Sequence, residues 1–401
     1  MSRSVLVCDD DPALAADWVD RVRAIAPAAQ YDVQAALSND ETREAIRALL
    51  ARRKAARDGA AIPTDGCRFD GVDVLVVDYD LLHIDEDSAR YTGESVARLA
   101  RSFADCPVIV VLNQFPESQF DLSLRGHLAS FADLNIDVDL LGTPGLWTDP
   151  PWQGFRPWSW QTLWRAVDAQ KTRVGALSAT KSLDRPIVDL LGMKPEDGVR
   201  LSDGAFAFIA PGAENFTALA RQSFRSLLET IPDGRDAASR IDDDPSSAAR
   251  IAAARVSKWL EREVLGPQDV LVDIPHLLQR FPFLVPGDPS DPAAWNAAIH
   301  DEAALQALLP DGVWFDADGW LSRPAIWWSR LESDAGIRKR RQEFDFSRVA
   351  NVAFLEDVSA FCPLDDAREF RAGFHNSFDR RFAKVVDGVR YSPQRRFAFG
   401  A

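Results

Sequence analysis

Four aspartates stand where two apolar runs end. Val5-Leu6-Val7-Cys8 leads into Asp9-Asp10-Asp11-Pro12, and Asp73-Val74-Leu75-Val76-Val77 leads into Asp78. Carboxylates are hard oxygen ligands, so two of them can hold a divalent cation while a third attacks a phosphoryl group. A carboxylate beside two others resists taking on a phosphoryl group unless a cation neutralises the cluster, which makes the metal obligatory to that chemistry. The pattern therefore points to phosphoryl transfer onto Asp78, with Asp9 and Asp10 holding the metal. Asp11, directly before Pro12, reads instead as a helix cap and first-turn charge.

For these acids to meet, each run must be a short buried strand ending at one edge of an open α/β sheet, where such sheets place their ligands. Residues 5–145 alternate in that manner. Strands are expected at 5–8, 31–36, 72–77, 107–112 and 138–141, and helices at 12–25, 39–57 and 93–103. The second helix would be capped by Asn39 or Asp40, and the third places Val96, Leu99, Ala100 and Phe103 on one face. The fold class is α/β, a doubly wound parallel five-stranded sheet of flavodoxin-like type.

This ordered set resembles the receiver domain of bacterial two-component response regulators. The resemblance rests on residues 5–12, on Asp73 to Leu82, and on Thr92-Gly93-Glu94-Ser95 leading a helix into Pro107-Val108-Ile109-Val110-Val111-Leu112. It implies that Asp78 is the phospho-acceptor and that Asp9, Asp10 and the backbone carbonyl of Asp80 hold Mg2+. It also implies a histidine kinase as phosphodonor, with a second signalling protein as a further partner. Three departures mark the branch as atypical. Asn113 stands where receivers carry Ser or Thr at the end of the fourth strand, and Thr143 precedes Pro144 where they carry Lys. The stretch between the second and third strands is long, and Leu82 stands where a Pro is common. The metal and the attacking carboxylate suffice for in-line transfer, whereas the missing hydroxyl and ammonium chiefly couple phosphorylation to a conformational shift. A domain of this kind suits a phosphate sink, or a receiver read by a partner that touches the phosphorylated edge directly; the competing account is a non-phosphorylated docking scaffold. An arginine from outside the motif, such as Arg156, is a candidate replacement cation.

The chain has 401 residues, a length that favours at least two domains. We expect a receiver-like domain at 1–146, a Trp/Pro-rich hinge at 147–164, and an α-rich α+β domain at 165–401 serving interaction or output. A net charge of −15 argues against a general nucleic-acid binder. No stretch has the run of about 20 apolar residues that a membrane span needs, and the expectation is a cytoplasmic protein. The scattered cysteines Cys8, Cys67, Cys106 and Cys362 suggest buried thiols rather than disulfides or zinc.

Beyond residue 165 apolar stripes indicate core helices, at Phe216 to Ile231 and at Ala252 to Val264, with an exposed loop between 233 and 247. Strands are expected at 205–209, 270–272 and 349–354. Ser178-Ala179-Thr180-Lys181 matches a serine acyl-enzyme spacing without its companion motifs, and Asp316-Ala317-Asp318-Gly319 reads as a turn. His83, His127, His276, His300 and His375 are dispersed and read as structural. The tail is basic, and a helix at 369–386 would align Phe370, Phe374, Phe378 and Phe382. Residues 376–399 and the extended receiver region also show a looser similarity to the receiver proteins that accompany histidine kinases in some bacterial anti-phage systems. An effector enzyme in the C-terminal region is a further class of function, and it predicts a convergent polar pocket there.

Overall fold

A computed structural model describes residues 2–64, 66–81, 84, 91–113, 128–149, 154–179, 181–212, 215–231, 234–370 and 380–387, with the side chains of Asn113 and Phe370 excepted. Five strands, β1 (Arg3–Cys8), β2 (Tyr31–Val33), β3 (Val74–Asp78), β4 (Val108–Asn113) and β5 (Leu134–Asp137), form one sheet in the order β2-β1-β3-β4-β5. Every pairing is parallel. This is the strand order of flavodoxin-like doubly wound sheets.

The apolar runs are continuous rather than alternating because both faces of the sheet are covered. Val5, Val7, Val74, Val76, Val108 and Val110 face helix α1 (Pro12–Ile25). Leu6, Leu75, Val77, Ile109 and Val111 face α2 (Asn39–Arg57) and α3 (Gly93–Phe103). Asp11 caps α1 by accepting from the amides of Ala13 and Leu14, as its position before Pro12 suggested. Ser38 caps α2 through a capping box with Glu41, one residue earlier than expected.

The fifth strand corrects the expectation. It spans Leu134–Asp137, while residues 138–141 form a single helical turn capped by Asp137. The Trp/Pro-rich segment packs tightly where it is described. Trp147 is fully buried, donates its indole N–H to the Leu141 carbonyl at 2.9 Å, and meets Tyr31 edge-on. Helix α4 (Leu163–Ser178) then lays Leu163, Ala166 and Val167 on the same sheet face as α1.

A long helix from the C-terminal region, α5 (Pro245–Trp259), fastens to the sheet layer from the other side. Its Ser247 hydroxyl donates to the Ser102 carbonyl at 2.6 Å, and Lys258 donates to the carbonyls of Ser130 and Ala132 at 2.8 and 2.5 Å. Arg255 donates to the Leu128 carbonyl. One apolar cluster runs without interruption from Leu75 and Val96 through Leu177 to Ile251, Trp259 and Trp327.

The remaining sheets are small. β6 (Leu271–Asp273) pairs antiparallel with β7 (Ala325–Trp327). β8 (Val352–Leu355), β9 (Ala360–Pro363), β10 (Arg368–Phe370) and β11 (Arg381–Ala383) form a four-stranded sheet in the order β9-β8-β11-β10. Residues 205–209, expected as a strand, lie in the helix Asp203–Ile209, which Ser202 caps. The expected exposed loop at 233–247 contains the helix Gly234–Ala238, with Ala237, Ala238 and Ile241 buried. Of the expected helix at 369–386, residues 369–370 lie instead in β10 and 381–383 in β11, which pair antiparallel, and residues 371–379 lie outside the described residues. Among the described residues, no helix is long and apolar enough to cross a membrane.

Candidate functional site

The C-terminal ends of β1 and β3 lie side by side, with Cys8 opposite Val77 in the ladder. Each strand delivers its next acid to the same sheet edge. Asp9 and Asp78 are fully buried and Asp10 is half-buried, and one carboxylate oxygen from each lies within 4.8 Å of the other two.

Local hydrogen bonds hold the cluster in place. Asp9 accepts from the Asp11 amide at 2.7 Å, and Asp78 accepts from the Asp80 amide at 2.9 Å. The carbonyl of Asp10 accepts from the Asn39 side chain at the start of α2, at 2.9 Å. Gly93 opens α3 directly against the strand end, where its amide donates to the Tyr79 carbonyl at 2.8 Å. A Cβ at position 93 would sit 2.3 Å from the Asp78 carbonyl oxygen, closer than any real contact. Gly93→Ala should therefore push β3 and α3 apart and cost about 1–3 kcal/mol of stability. Urea denaturation measures this, and an unchanged midpoint would show that the strand end has room to spare.

The electrostatics match the geometry. Burial, with the Asp78 charge and Asp10 adding to it, pushes the Asp9 carboxyl up to about 7 against the pull of the Asp11 amide. Two or three negative charges at this spacing repel one another unless a proton or a cation intervenes. All the donor atoms are carboxylate oxygens, a set suited to a hard divalent ion and unsuited to a soft one. The residues present thus fit Mg2+.

The other sequence-derived positions divide. Asp80 is exposed and reaches the site through its amide, two residues beyond Asp78. Asn113 ends β4, where it pairs in register with Asp137 of β5. Thr143 stands six residues past the end of β5, in the turn before the 3-10 segment Pro144–Leu146, so the strand-end position belongs to Asp137 instead. Arg156 lies on a different cavity, with Asp149, Arg165 and His300. Leu82, His83, His127, His375 and the tail segment 388–401 lie outside the described residues. Ser178 closes α4 while Lys181 adopts a left-handed turn, so the two do not share a helical face. Gly319 turns at φ 72°, as expected of a turn.

Sequence reasoning missed one polar cluster altogether. His276 joins Asp273 at 2.5 Å through Nδ1 and Glu356 at 2.9 Å through Nε2, and Arg381 contacts both His276 and Glu356. Arg323 links Asp273 to Glu261 at 2.9 and 3.1 Å. The spacing of Asp273 and His276 across one helical turn was the only local signal, because the other partners are 80 and 105 residues away. Glu261, Asp273, His276, Glu356 and Arg381 are buried, while Arg323 is half-buried and also reaches the wall of a neighbouring cavity, so the cluster is chiefly an internal electrostatic tie.

No family model, curated protein or solved structure matches the chain.

Proposed function

We propose that this chain is a two-component signalling protein with an atypical receiver domain, one that accepts a phosphoryl group on Asp78 from the phosphohistidine of a partner histidine kinase in the cytoplasm. The observation that carries the reading is the meeting of Asp9, Asp10 and Asp78 within 4.8 Å at the C-terminal edge of a β2-β1-β3-β4-β5 sheet. Asp9 and Asp10 would hold Mg2+ together with Asp78 and the Asp80 carbonyl, and the ion would supply charge neutralisation for the incoming phosphoryl oxygens.

In this reading the residues divide the work. A carboxylate oxygen of Asp78 attacks phosphorus, forming an O–P bond as the P–N bond to the kinase imidazole breaks and the electron pair leaves with nitrogen. The Asp80 amide orients the Asp78 carboxylate through its hydrogen bond, and Gly93 keeps the facing helix close enough to hold the strand end rigid. This is self-modification of the protein rather than turnover of a substrate.

A phosphate sink or buffer within a defence-type relay fits better than a switch. Switching needs an element with two arrangements. Here Ser247, Arg255 and Lys258 tie down the last turn of α3 and the segment leading into β5, at the end of the sheet opposite the acids, and β5 ends in the acid Asp137 rather than in a cation. The test is incubation with phosphoramidate and Mg2+ followed by intact mass measurement. Wild type should gain one phosphoryl group, and Asp78→Asn or a chelator should prevent the gain. Equal labelling of both proteins removes Asp78 as acceptor, and no labelling of wild type by this donor or by a kinase favours the docking scaffold.

A further inference from the structure

Away from the acid cluster, a cavity of about 290 Å³ opens between the Trp/Pro-rich segment and the C-terminal region. On a chain of net charge −15, its wall gathers Arg156, Arg165, Arg323 and His300, and among its described lining residues the one carboxylate is Asp149. Arg165 pairs with Asp149 at 3.1 Å, and Arg323 is committed to the buried tie with Asp273 and Glu261. With Arg323 balanced by its acids, Arg156 and Arg165 against Asp149 leave a formal excess of one positive charge on the wall. Burial lowers the pKa of Arg156, with Arg165 adding to the effect against Asp149, and burial followed by the Arg156 charge lowers that of His300.

The N-terminus of α4 supplies a second, independent observation. Thr162 is the N-cap residue of this 16-residue helix and lines the cavity, yet its hydroxyl makes no capping bond. The residue is 6% exposed, and the hydroxyl has no hydrogen-bond partner among the described residues. An N-cap side chain normally accepts from a first-turn amide, but here the Tyr31 hydroxyl takes that place, accepting from the Trp164 amide at 2.9 Å, which leaves the buried Thr162 hydroxyl without its usual donor. The indole N–H groups of Trp158 and Trp160, also in the wall, likewise have no acceptor among the described residues. These three groups are recessed behind the surface, so a ligand oxygen would reach them only with a rearrangement of the wall.

We propose that this cavity is a second ligand site, which takes a small phosphate monoester of nucleoside-monophosphate size. Guanidinium groups recognise a phosphate by charge and by forked donors, and the Thr162 hydroxyl and the two indole N–H groups behind them are unmet hydrogen-bonding groups at the same wall. The volume lies at the small end of ordinary ligand pockets, and the tryptophans offer apolar surface to a planar body. The site stands apart from Asp78 and does not depend on the phosphoryl-acceptor reading.

Calorimetric titration of the full chain, in chelator to keep metal from the acid cluster, tests it with AMP, inorganic phosphate and adenosine. AMP should bind, phosphate more weakly, and adenosine not measurably, and added salt should weaken AMP. Arg156→Gln and Arg165→Gln should each weaken AMP by roughly 10-fold or more, the loss of one charge-assisted contact. The Arg165 side chain is 55% exposed, so that variant carries the test if Arg156→Gln misfolds. Asp78→Asn should bind AMP as wild type does. Absence of AMP and phosphate binding at millimolar concentration, equal binding of adenosine, binding that survives both arginine substitutions, or loss in Asp78→Asn would each overturn the assignment.

Discussion

Asp273→Asn is expected to cost about 3–5 kcal/mol, the scale of breaking a buried ion pair by removing one partner. Asp273 is 1% exposed and ends β6, where its carboxylate meets His276 on one oxygen and Arg323 on the other. Burial alone would push its carboxyl up, but the charges of His276 and Arg323 and their hydrogen bonds overcome it and hold the group well below the usual carboxylate range. Asparagine keeps the size and removes the charge, leaving His276 with Glu356 and Arg323 with Glu261 as their remaining acid partners. The same network sets a pH signature. A depressed folded pKa gives stability that is present above the ordinary carboxylate pKa and is lost as pH falls through the lower folded value.

His276 works in the opposite direction. Burial and Arg381 disfavour its charged form, yet Asp273 and Glu356 outweigh them and raise its pKa. Its contribution is complete below the unfolded value near 6.5 and is lost as pH rises through the folded one. Urea denaturation across pH should show the wild type losing stability on both sides of a mildly acidic maximum. Asp273→Asn should flatten both slopes, and an unchanged profile would show that the network carries no net linkage.

The second large effect has the opposite sign. Asp9→Asn should stabilise the metal-free protein at neutral pH. The folded pKa of Asp9 is about 7 against an ordinary value of 3.8, so charging this group costs stability as pH rises through that interval. The full shift corresponds to at most about 4 kcal/mol. Screening at the half-exposed Asp10 side reduces the expected gain to about 1–2 kcal/mol. Mg2+ should stabilise wild type in the same range by binding the folded state, and should not stabilise Asp9→Asn. Thermal melts with and without Mg2+ measure both. A variant less stable than wild type in chelator would show that the Asp11 amide bond matters more than the repulsion.

The acid cluster was legible because local rules fixed it. A buried strand that ends in a carboxylate announces both its own end and the sheet edge, and Pro12 separated Asp11 as a cap from Asp9 and Asp10 as site residues. The fifth strand was misplaced because residues 138–141, Val-Asp-Leu-Leu, are the more apolar run, whereas the strand residues 134–137, Leu-Asn-Ile-Asp, alternate with polar ones. What decides between them is the Asp137 side chain, which accepts from the Asp139 amide at 2.9 Å and turns the chain into a helix. The phenylalanines spaced at four residues near the C-terminus imitate a helix seam. The pairing of Arg368–Phe370 with Arg381–Ala383 is a tertiary choice that overrides this spacing at Phe370 and Phe382, while Phe374 and Phe378 lie outside the described residues. The network around His276 was invisible for a simpler reason: its members come from separate elements, and no periodicity links residues so far apart in the chain.

The central claim is that the oxygen taking the phosphoryl group belongs to Asp78. Borohydride reduces an aspartyl phosphate to homoserine, which marks the acceptor permanently. After phosphoramidate and Mg2+ treatment, peptide mass spectrometry should find homoserine at position 78 in wild type and at no position in Asp78→Asn. Homoserine at another aspartate, or unmodified Asp78 in protein that demonstrably binds Mg2+, would contradict the account.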